Sequence, residues 1–126
     1  MKTKILSVDD SATMRKVVGR TVAVLGFDLM EATNGEEAIA LIKADPNEVA
    51  LVILDVNMPV LDGEETLHRL KADPDMRDIP VMMLTTESER SRVLGFIQSG
   101  AANYLMKPFS QDDLAAKITA SLGLGF

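Results

Sequence analysis

Five short apolar segments alternate with stretches of helical periodicity, and this alternation constrains the fold more than any other feature of the sequence. We predict strands at residues 4–8, 27–31, 49–54, 81–84 and 103–106. The third segment, VALVIL, is apolar at every position, which is typical of a central strand covered by helices on both faces. The regular βα alternation therefore predicts an α/β fold with one open parallel sheet, right-handed crossovers and helices on both faces.

Apolar residues three and four positions apart predict five helices in the remaining stretches. We expect them at residues 14–25, 35–43, 64–71, 87–99 and 111–122. Ser11 or Asp10 is the expected N-cap of the first helix. In the fourth, we expect Val93, Leu94 and Ile97 to face the sheet and the charged segment 87–92 to form a solvated first turn.

Length and composition narrow the class of protein. A chain of 126 residues suits one domain, so we expect residues 1–126 to form a single domain without an output domain or a DNA-recognition helix. The net charge of −6 argues against nucleic acid and anionic membranes as partners. The absence of cysteine excludes disulfides, thiolate zinc sites and cysteine nucleophiles. Without a signal-peptide core or an apolar run long enough to cross a bilayer, the protein is expected to be cytoplasmic.

Polar side chains gather where four of the predicted strands end. Asp9 and Asp10 follow the first strand, Asp55 the third, Thr85 the fourth and Lys107 the fifth. Each residue taken alone could simply cap a helix or form a turn. Because the carboxyl ends of parallel strands meet at one edge of a sheet, where ligands bind, we expect these side chains to form one site.

The charges at this edge predict the chemistry of the site. Three neighbouring carboxylates, from Asp9, Asp10 and Asp55, would repel one another, and Lys107 supplies only one positive charge. We therefore expect a divalent cation, with Mg²⁺ the leading candidate and Mn²⁺ possible. A cation, a lysine and the hydroxyl of Thr85 around a carboxylate suit phosphoryl transfer, with Asp55, at the end of the most buried strand, as the nucleophile.

The motifs at these positions resemble those of the receiver domains of two-component response regulators, and most closely the single-domain chemotaxis regulators. The matching segments cover essentially the whole chain and are VDDS at 8–11, DVNMPVLDG at 55–63, LTT at 84–86, GA at 100–101 and YLMKPF at 104–109. The resemblance implies a (βα)5 flavodoxin-like fold with strand order 2-1-3-4-5.

The resemblance also implies a ligand set and a phosphoacceptor. Asp55 corresponds to the aspartate that attacks a phosphohistidine on a sensor kinase. Asp9 and Asp10 correspond to the acidic pair that holds Mg²⁺, with Asp55 and the backbone carbonyl of Asn57 completing the protein ligands. The chain would then take part in its own phosphorylation and dephosphorylation without being an enzyme that turns over a substrate.

Further roles follow from the same resemblance. Lys107 is expected to contact the phosphoryl group, next to a cis bond to Pro108. Thr85 corresponds to a switch hydroxyl and Tyr104 to an aromatic switch that turns inward behind it. Two neighbours in sequence, Asn57 and Glu87, correspond to residues that tune hydrolysis of the acyl phosphate, whereas Thr86 stands where the chemotaxis regulators have a smaller alanine.

The expected function is a phosphorylation-controlled switch, in chemotaxis by resemblance. The expected partners are a CheA-like sensor histidine kinase and a downstream protein that binds the face formed by the fourth helix, fifth strand and fifth helix, with the chain acting as a monomer. Alternatives are a phosphorelay carrier, the receiver part of a longer transcriptional regulator, and a metal-dependent phosphatase with an aspartate nucleophile. The phosphatase class is disfavoured because Asn57 stands where it has a second aspartate, and a flavin carrier because no phosphate-cradling loop follows the first strand.

Overall fold

In the computed structural model, residues 2–123 are described. Ten helices and strands alternate along these residues, with two short 3₁₀ segments at Pro46–Glu48 and Glu87–Arg92. The strands are β1 Lys4–Val8, β2 Asp28–Ala32, β3 Val49–Asp55, β4 Val81–Thr85 and β5 Asn103–Met106. The helices are α1 Ala12–Val24, α2 Gly35–Ala44, α3 Gly63–Ala72, α4 Val93–Gln98 and α5 Gln111–Ser121.

The strands form one parallel sheet in the order β2-β1-β3-β4-β5, which confirms the predicted fold class and the expected strand order. The expectation that no DNA-recognition helix is present rests on residues 123–126, of which residues 124–126, like Met1, lie outside the described residues. Among residues 2–123, no helix combines the length and the apolar character that a membrane crossing requires.

Strand β3 is buried at every position, as its uninterrupted apolar sequence predicts. Its side chains alternate between two apolar clusters, one on each face of the sheet. Val52 and Leu54 belong to the cluster that includes residues of α2 and α3, whereas Leu51 and Ile53 belong to the cluster that includes residues of α1 and α5. Because helices cover both faces, neither face of this strand needs polar residues.

The turn after β1 is fixed by a helix cap. The hydroxyl of Ser11 accepts a hydrogen bond from the backbone N–H of Met14 at 3.2 Å, so Ser11 is the N-cap of α1. Asp10, the other candidate, leaves its carboxylate exposed at the end of the sheet. A serine cap of this kind stabilises a helix by about 1 kcal/mol. In the same turn the backbone N–H of Ser11 donates to Asp9 Oδ1 at 2.9 Å.

The prediction of one continuous α-helix over residues 87–99 is wrong, because only part of this stretch is α-helical. Residues 87–92 wind as a 3₁₀ segment before α4 begins at Val93. A 3₁₀ turn holds about three residues rather than 3.6, so the buried face is rotated relative to a continuous α-helix. Phe96 is therefore the residue that α4 buries, whereas Leu94 and Ile97, which we expected to be inward, are 67% and 40% exposed.

Candidate functional site

The structure brings the three predicted carboxylates together at the carboxyl edge of the sheet. Asp9 follows β1 and is buried, Asp10 is exposed, and Asp55 is the buried last residue of β3. One carboxylate oxygen from each lies within 4.8 Å of the others, and in the described part of the chain no other group of three or more acidic or histidine side chains meets this condition.

Lys107 also lies at this edge, at the end of β5. Its Nζ is 2.9 Å from Asp55 Oδ1 and 3.4 Å from Asp9 Oδ2. The backbone N–H of Lys107 donates to the carbonyl oxygen of Thr85 at 2.7 Å, which holds the ends of β4 and β5 together. The bond between Lys107 and Pro108 is cis, which confirms the expectation drawn from the sequence.

The local electrostatics leave the cluster short of positive charge. Burial raises the pKa of Asp55 above its usual value, the hydrogen bond from Lys107 lowers it in part, and the charge of Asp9 raises it again. Burial would lower the pKa of Lys107, but the hydrogen bond and charge of Asp55 outweigh burial and raise it. Lys107 is therefore charged at neutral pH and is still one cation against three carboxylates.

These residues fit a hard divalent cation. All available side-chain donors are carboxylate oxygens, which Mg²⁺ and Mn²⁺ prefer over nitrogen or sulfur, and the excess negative charge is the kind that a dication balances. Asp9, Asp10 and Asp55 could each supply one ligand. Asn57, two residues after Asp55, lies in the adjoining loop, where its backbone carbonyl is the fourth ligand predicted from the sequence.

Thr85 ends β4 and is completely buried. Its hydroxyl is the one buried side-chain polar atom, within residues 2–123, that has no hydrogen-bond partner. An unsatisfied buried donor costs about 1–3 kcal/mol, so natural proteins retain few of them. The hydroxyl is thus a free donor at the sheet edge, in the position where the sequence predicts a contact with a phosphoryl oxygen.

Gly63 brings the start of α3 close to the phosphoacceptor candidate. Its backbone N–H donates to the carbonyl of Val56 at 2.8 Å, which closes the loop that follows β3. A Cβ at this position would lie 2.2 Å from the carbonyl oxygen of Asp55. Only glycine allows this approach, and the loop therefore fixes the backbone of Asp55 tightly.

Tyr104 lies on β5 and pairs in register with Met83, two residues before Thr85 on β4. Because alternate residues of a strand point to the same face, Tyr104 and Thr85 share one face of the sheet. The ring is half-buried, and Lys117 Nζ lies 4.8 Å from its centroid.

Glu87 does not lie against Asn57, the other residue predicted to tune hydrolysis. Its exposed carboxylate pairs with Arg90 at 3.1 Å. The side-chain amide of Asn57 donates instead to Glu89, which is buried although we expected segment 87–92 to be solvated. The sequence signal for Glu89 was present: Thr86 and Glu89 have the spacing of a capping box, and the structure shows the backbone N–H of Thr86 donating to the Glu89 carboxylate.

Arg15 is a second residue of the site that was not predicted from the sequence. Its guanidinium donates to the carbonyl oxygen of Asp9 at 2.7 Å and to Glu31 at 3.0 Å, and its side chain is only 15% exposed. The contact supports the backbone that carries the acidic pair. An arginine in the first turn of an amphipathic helix has no pattern that distinguishes it from a solvated one.

A protein-family model identifies the family to which the chain belongs. The model of the response regulator receiver domain matches residues 5–119, which includes every strand end described above except the start of β1. The chain is a response regulator receiver domain. It therefore belongs to the two-component signalling systems.

Relatives of this receiver domain differ in length. It is 37% identical over 123 residues to a chemotaxis protein CheY homologue of Campylobacter jejuni, covering 97% of this chain and 94% of that protein. It is 38% identical over 122 residues to ycf27 of Porphyridium aerugineum, described as a "probable transcriptional regulator", covering 96% of this chain but 48% of that protein. The chain thus spans nearly all of the first relative and about half of the second.

A solved structure agrees with this assignment. The chemotaxis response regulator CheY4 of Vibrio cholerae is 32% identical, and the two folds superpose with a TM-score of 0.84. The match covers 96% of this chain and 99% of that one.

Proposed function

We propose that this receiver domain accepts a phosphoryl group on Asp55 from the phosphohistidine of a CheA-like sensor histidine kinase. The observation that carries the proposal is the 2.9 Å contact between Lys107 Nζ and Asp55 Oδ1, at the same sheet edge where β4 ends in Thr85 with its unpaired hydroxyl. A carboxylate nucleophile flanked by a cation and a hydroxyl donor is the arrangement that phosphoryl transfer requires.

In the transfer, a carboxylate oxygen of Asp55 forms a bond to phosphorus. The bond between phosphorus and the imidazole nitrogen of the kinase breaks, and its electron pair stays on that nitrogen. Lys107 and Thr85 each supply a hydrogen-bond donor for the phosphoryl oxygens, so that the negative charge that arrives at the buried edge is balanced where it arrives.

A metal ion completes the charge balance in this proposal. Asp9, Asp10 and Asp55, with the backbone carbonyl of Asn57, would hold Mg²⁺ or Mn²⁺. When bound, the ion neutralises charge on the carboxylates and the phosphoryl oxygens.

Phosphorylation is proposed to change a surface distant from Asp55. Thr85 moves toward the phosphoryl group, and Tyr104, on the same face of the neighbouring strand, turns inward behind it. The affected surface consists of α4, β5 and α5, and we propose that a downstream protein binds there. Leu94 and Ile97 support this choice, because they are large apolar side chains that α4 leaves exposed.

We place this switch in chemotaxis, in the cytoplasm and as a monomer, on the strength of the CheY relatives that the chain covers almost completely. The chain would act as a switch and not as an enzyme with a substrate of its own. The second candidate, supported by the 48% coverage of ycf27, is the receiver part of a longer transcriptional regulator. A phosphorelay carrier would have the same edge chemistry and differ only in its partner.

Acetyl phosphate, a small phosphodonor, tests the proposal without a kinase. Incubated with Mg²⁺, the wild-type chain is expected to gain one phosphoryl group by intact-mass measurement, and Asp55→Asn is expected to gain none at a comparable rate. An adduct formed equally fast by both proteins would exclude Asp55 as the acceptor. Phosphotransfer from purified chemotaxis kinases then separates the chemotaxis role from the other two.

A further inference from the structure

Glu89 is a buried carboxylate that the proposed phosphoryl-transfer roles do not use. It is 4% exposed, although it belongs to a segment whose other glutamate, Glu87, is solvated. Among the ion pairs of residues 2–123, none includes Glu89. Its contacts are therefore hydrogen bonds, and a buried polar group of this kind is stable only where its hydrogen bonds are satisfied.

The hydrogen bonds of Glu89 join two loops of the site. One oxygen, Oε1, accepts from the backbone N–H of Thr86 at 2.8 Å and lies 3.1 Å from the Thr86 hydroxyl. The other oxygen, Oε2, accepts from the side-chain amide of Asn57. Asn57 lies two residues after Asp55, and Thr86 directly follows Thr85. Glu89 therefore connects the loop of the phosphoacceptor to the strand end that carries the unpaired hydroxyl.

We propose that Glu89 is a positioning residue that holds Asn57 and Thr86 in the arrangement of the unphosphorylated domain and so restrains capture of a phosphoryl group at Asp55. This inference rests on the proposed function. The resemblance implies that Glu87 tunes hydrolysis together with Asn57, whereas the residue that contacts Asn57 is Glu89, and the role proposed for Glu89 concerns capture.

Two physical effects of Glu89 both favour the unphosphorylated arrangement. The backbone N–H and the hydroxyl of Thr86 both donate to Glu89, so any shift of the chain at Thr85 and Thr86 toward the sheet edge would break these hydrogen bonds. A hydrogen bond made only in the resting arrangement favours that arrangement by its own net free energy. The carboxylate also adds negative charge beside Asn57, and this charge opposes a phosphoryl group on Asp55.

The test compares Glu89→Gln with wild type. The substitution keeps the size of the side chain, removes the charge, and exchanges one of the two acceptor oxygens for an amide donor. Beryllofluoride with Mg²⁺ serves as the probe, because it forms a phosphoryl-like complex with an aspartate without hydrolysis. We expect half-saturation of Glu89→Gln at a beryllofluoride concentration about three- to tenfold lower, the factor that one net hydrogen bond supplies.

Two further glutamate substitutions make the comparison specific. Glu87→Gln makes the same chemical change two residues away and is expected to shift half-saturation by less than about twofold, since its carboxylate contacts only Arg90 at the surface. Glu36→Gln, in the exposed first turn of α2, controls for the loss of one negative charge at a surface glutamate that makes no hydrogen bond with Asn57 among the described residues. Glu89→Asp keeps the charge but shortens the reach to Asn57, and a smaller gain than for Glu89→Gln is expected.

A second readout requires neither metal nor probe. In the metal-free protein, the side-chain amide resonances of Asn57 are expected to shift in Glu89→Gln and to remain in place in Glu87→Gln. Thermal unfolding of each variant establishes that it is folded.

The inference is overturned if Glu89→Gln and Glu89→Asp bind beryllofluoride no more tightly than wild type, or if Glu87→Gln shows the larger gain. Unmoved Asn57 resonances in Glu89→Gln would also overturn it. The proposed function fails in a different way: wild type itself would then bind no beryllofluoride and take up no phosphoryl group.

Discussion

Replacement of Thr85 by valine is expected to stabilise the domain. The side chain is completely buried and its hydroxyl has no partner, so the folded state carries the cost of an unsatisfied donor. Valine has nearly the same shape and no donor. We expect Thr85→Val to raise the free energy of unfolding by about 1 kcal/mol, the lower part of the cost of an unsatisfied buried group.

The matched control is Thr66→Val in α3. Thr66 is also completely buried, but its hydroxyl donates to the carbonyl of Asp62 at 2.6 Å. The same carbonyl also accepts the backbone N–H of Thr66 at 3.0 Å, so it keeps a partner in the variant. We therefore expect Thr66→Val to lower the free energy of unfolding by about 1 kcal/mol, the net contribution of one hydrogen bond.

Urea unfolding of the metal-free proteins measures both effects, and thermal unfolding should show shifts of about 4 °C in opposite directions. The stabilised Thr85→Val protein should respond less to beryllofluoride, because it lacks the proposed phosphoryl contact. If Thr85→Val loses as much stability as Thr66→Val, the Thr85 hydroxyl has a partner in solution and the reasoning about a free donor is refuted.

Three other substitutions test separate parts of the site. The contacts of charged Lys107 with Asp55 and Asp9 stabilise the folded state, and against the effect of burial they raise the pKa of Lys107 above its usual value of 10.5. This stabilisation is therefore fully present below pH 10.5 and is lost as the pH rises through the raised pKa. Lys107→Met removes these contacts, so the free energies of unfolding of wild type and Lys107→Met should converge in urea titrations at alkaline pH. Val60→Asn should raise the free energy of unfolding by about 1 kcal/mol, because Val60 is exposed and has a φ of 69°, a left-handed conformation that disfavours β-branched residues. Gly63→Ala should lower it by about 1–3 kcal/mol and slow the reaction with acetyl phosphate, since the added Cβ meets the carbonyl of Asp55 at 2.2 Å.

The parts of the fold that the sequence predicts are those fixed by burial. A strand such as β3, apolar at every position from 49 to 54, is stable between two layers of helices, and the remaining strands follow from the βα alternation. The same topology brings Asp9, Asp55 and Lys107 to one edge, so a contact between residues 98 positions apart could be expected without coordinates.

The region from residue 87 to 98 could not be predicted in the same way. Apolar spacing alone does not distinguish a continuous helix from a 3₁₀ segment followed by a short helix, and the change of winding decides that Phe96 is buried and Leu94 is exposed. The capping-box spacing of Thr86 and Glu89 marks where the segment begins. The bond from Glu89 to Asn57 joins loops 32 residues apart, and no local pattern encodes it.

Location of the phosphoryl group within the chain tests the central claim most directly. After incubation with acetyl phosphate and Mg²⁺, borohydride reduces an aspartyl phosphate to homoserine, and tandem mass spectrometry of peptides identifies the reduced residue. The account predicts homoserine at position 55 alone, and none when a chelator replaces Mg²⁺. Homoserine at position 9 or 10, or equal yield with and without the metal, would contradict it.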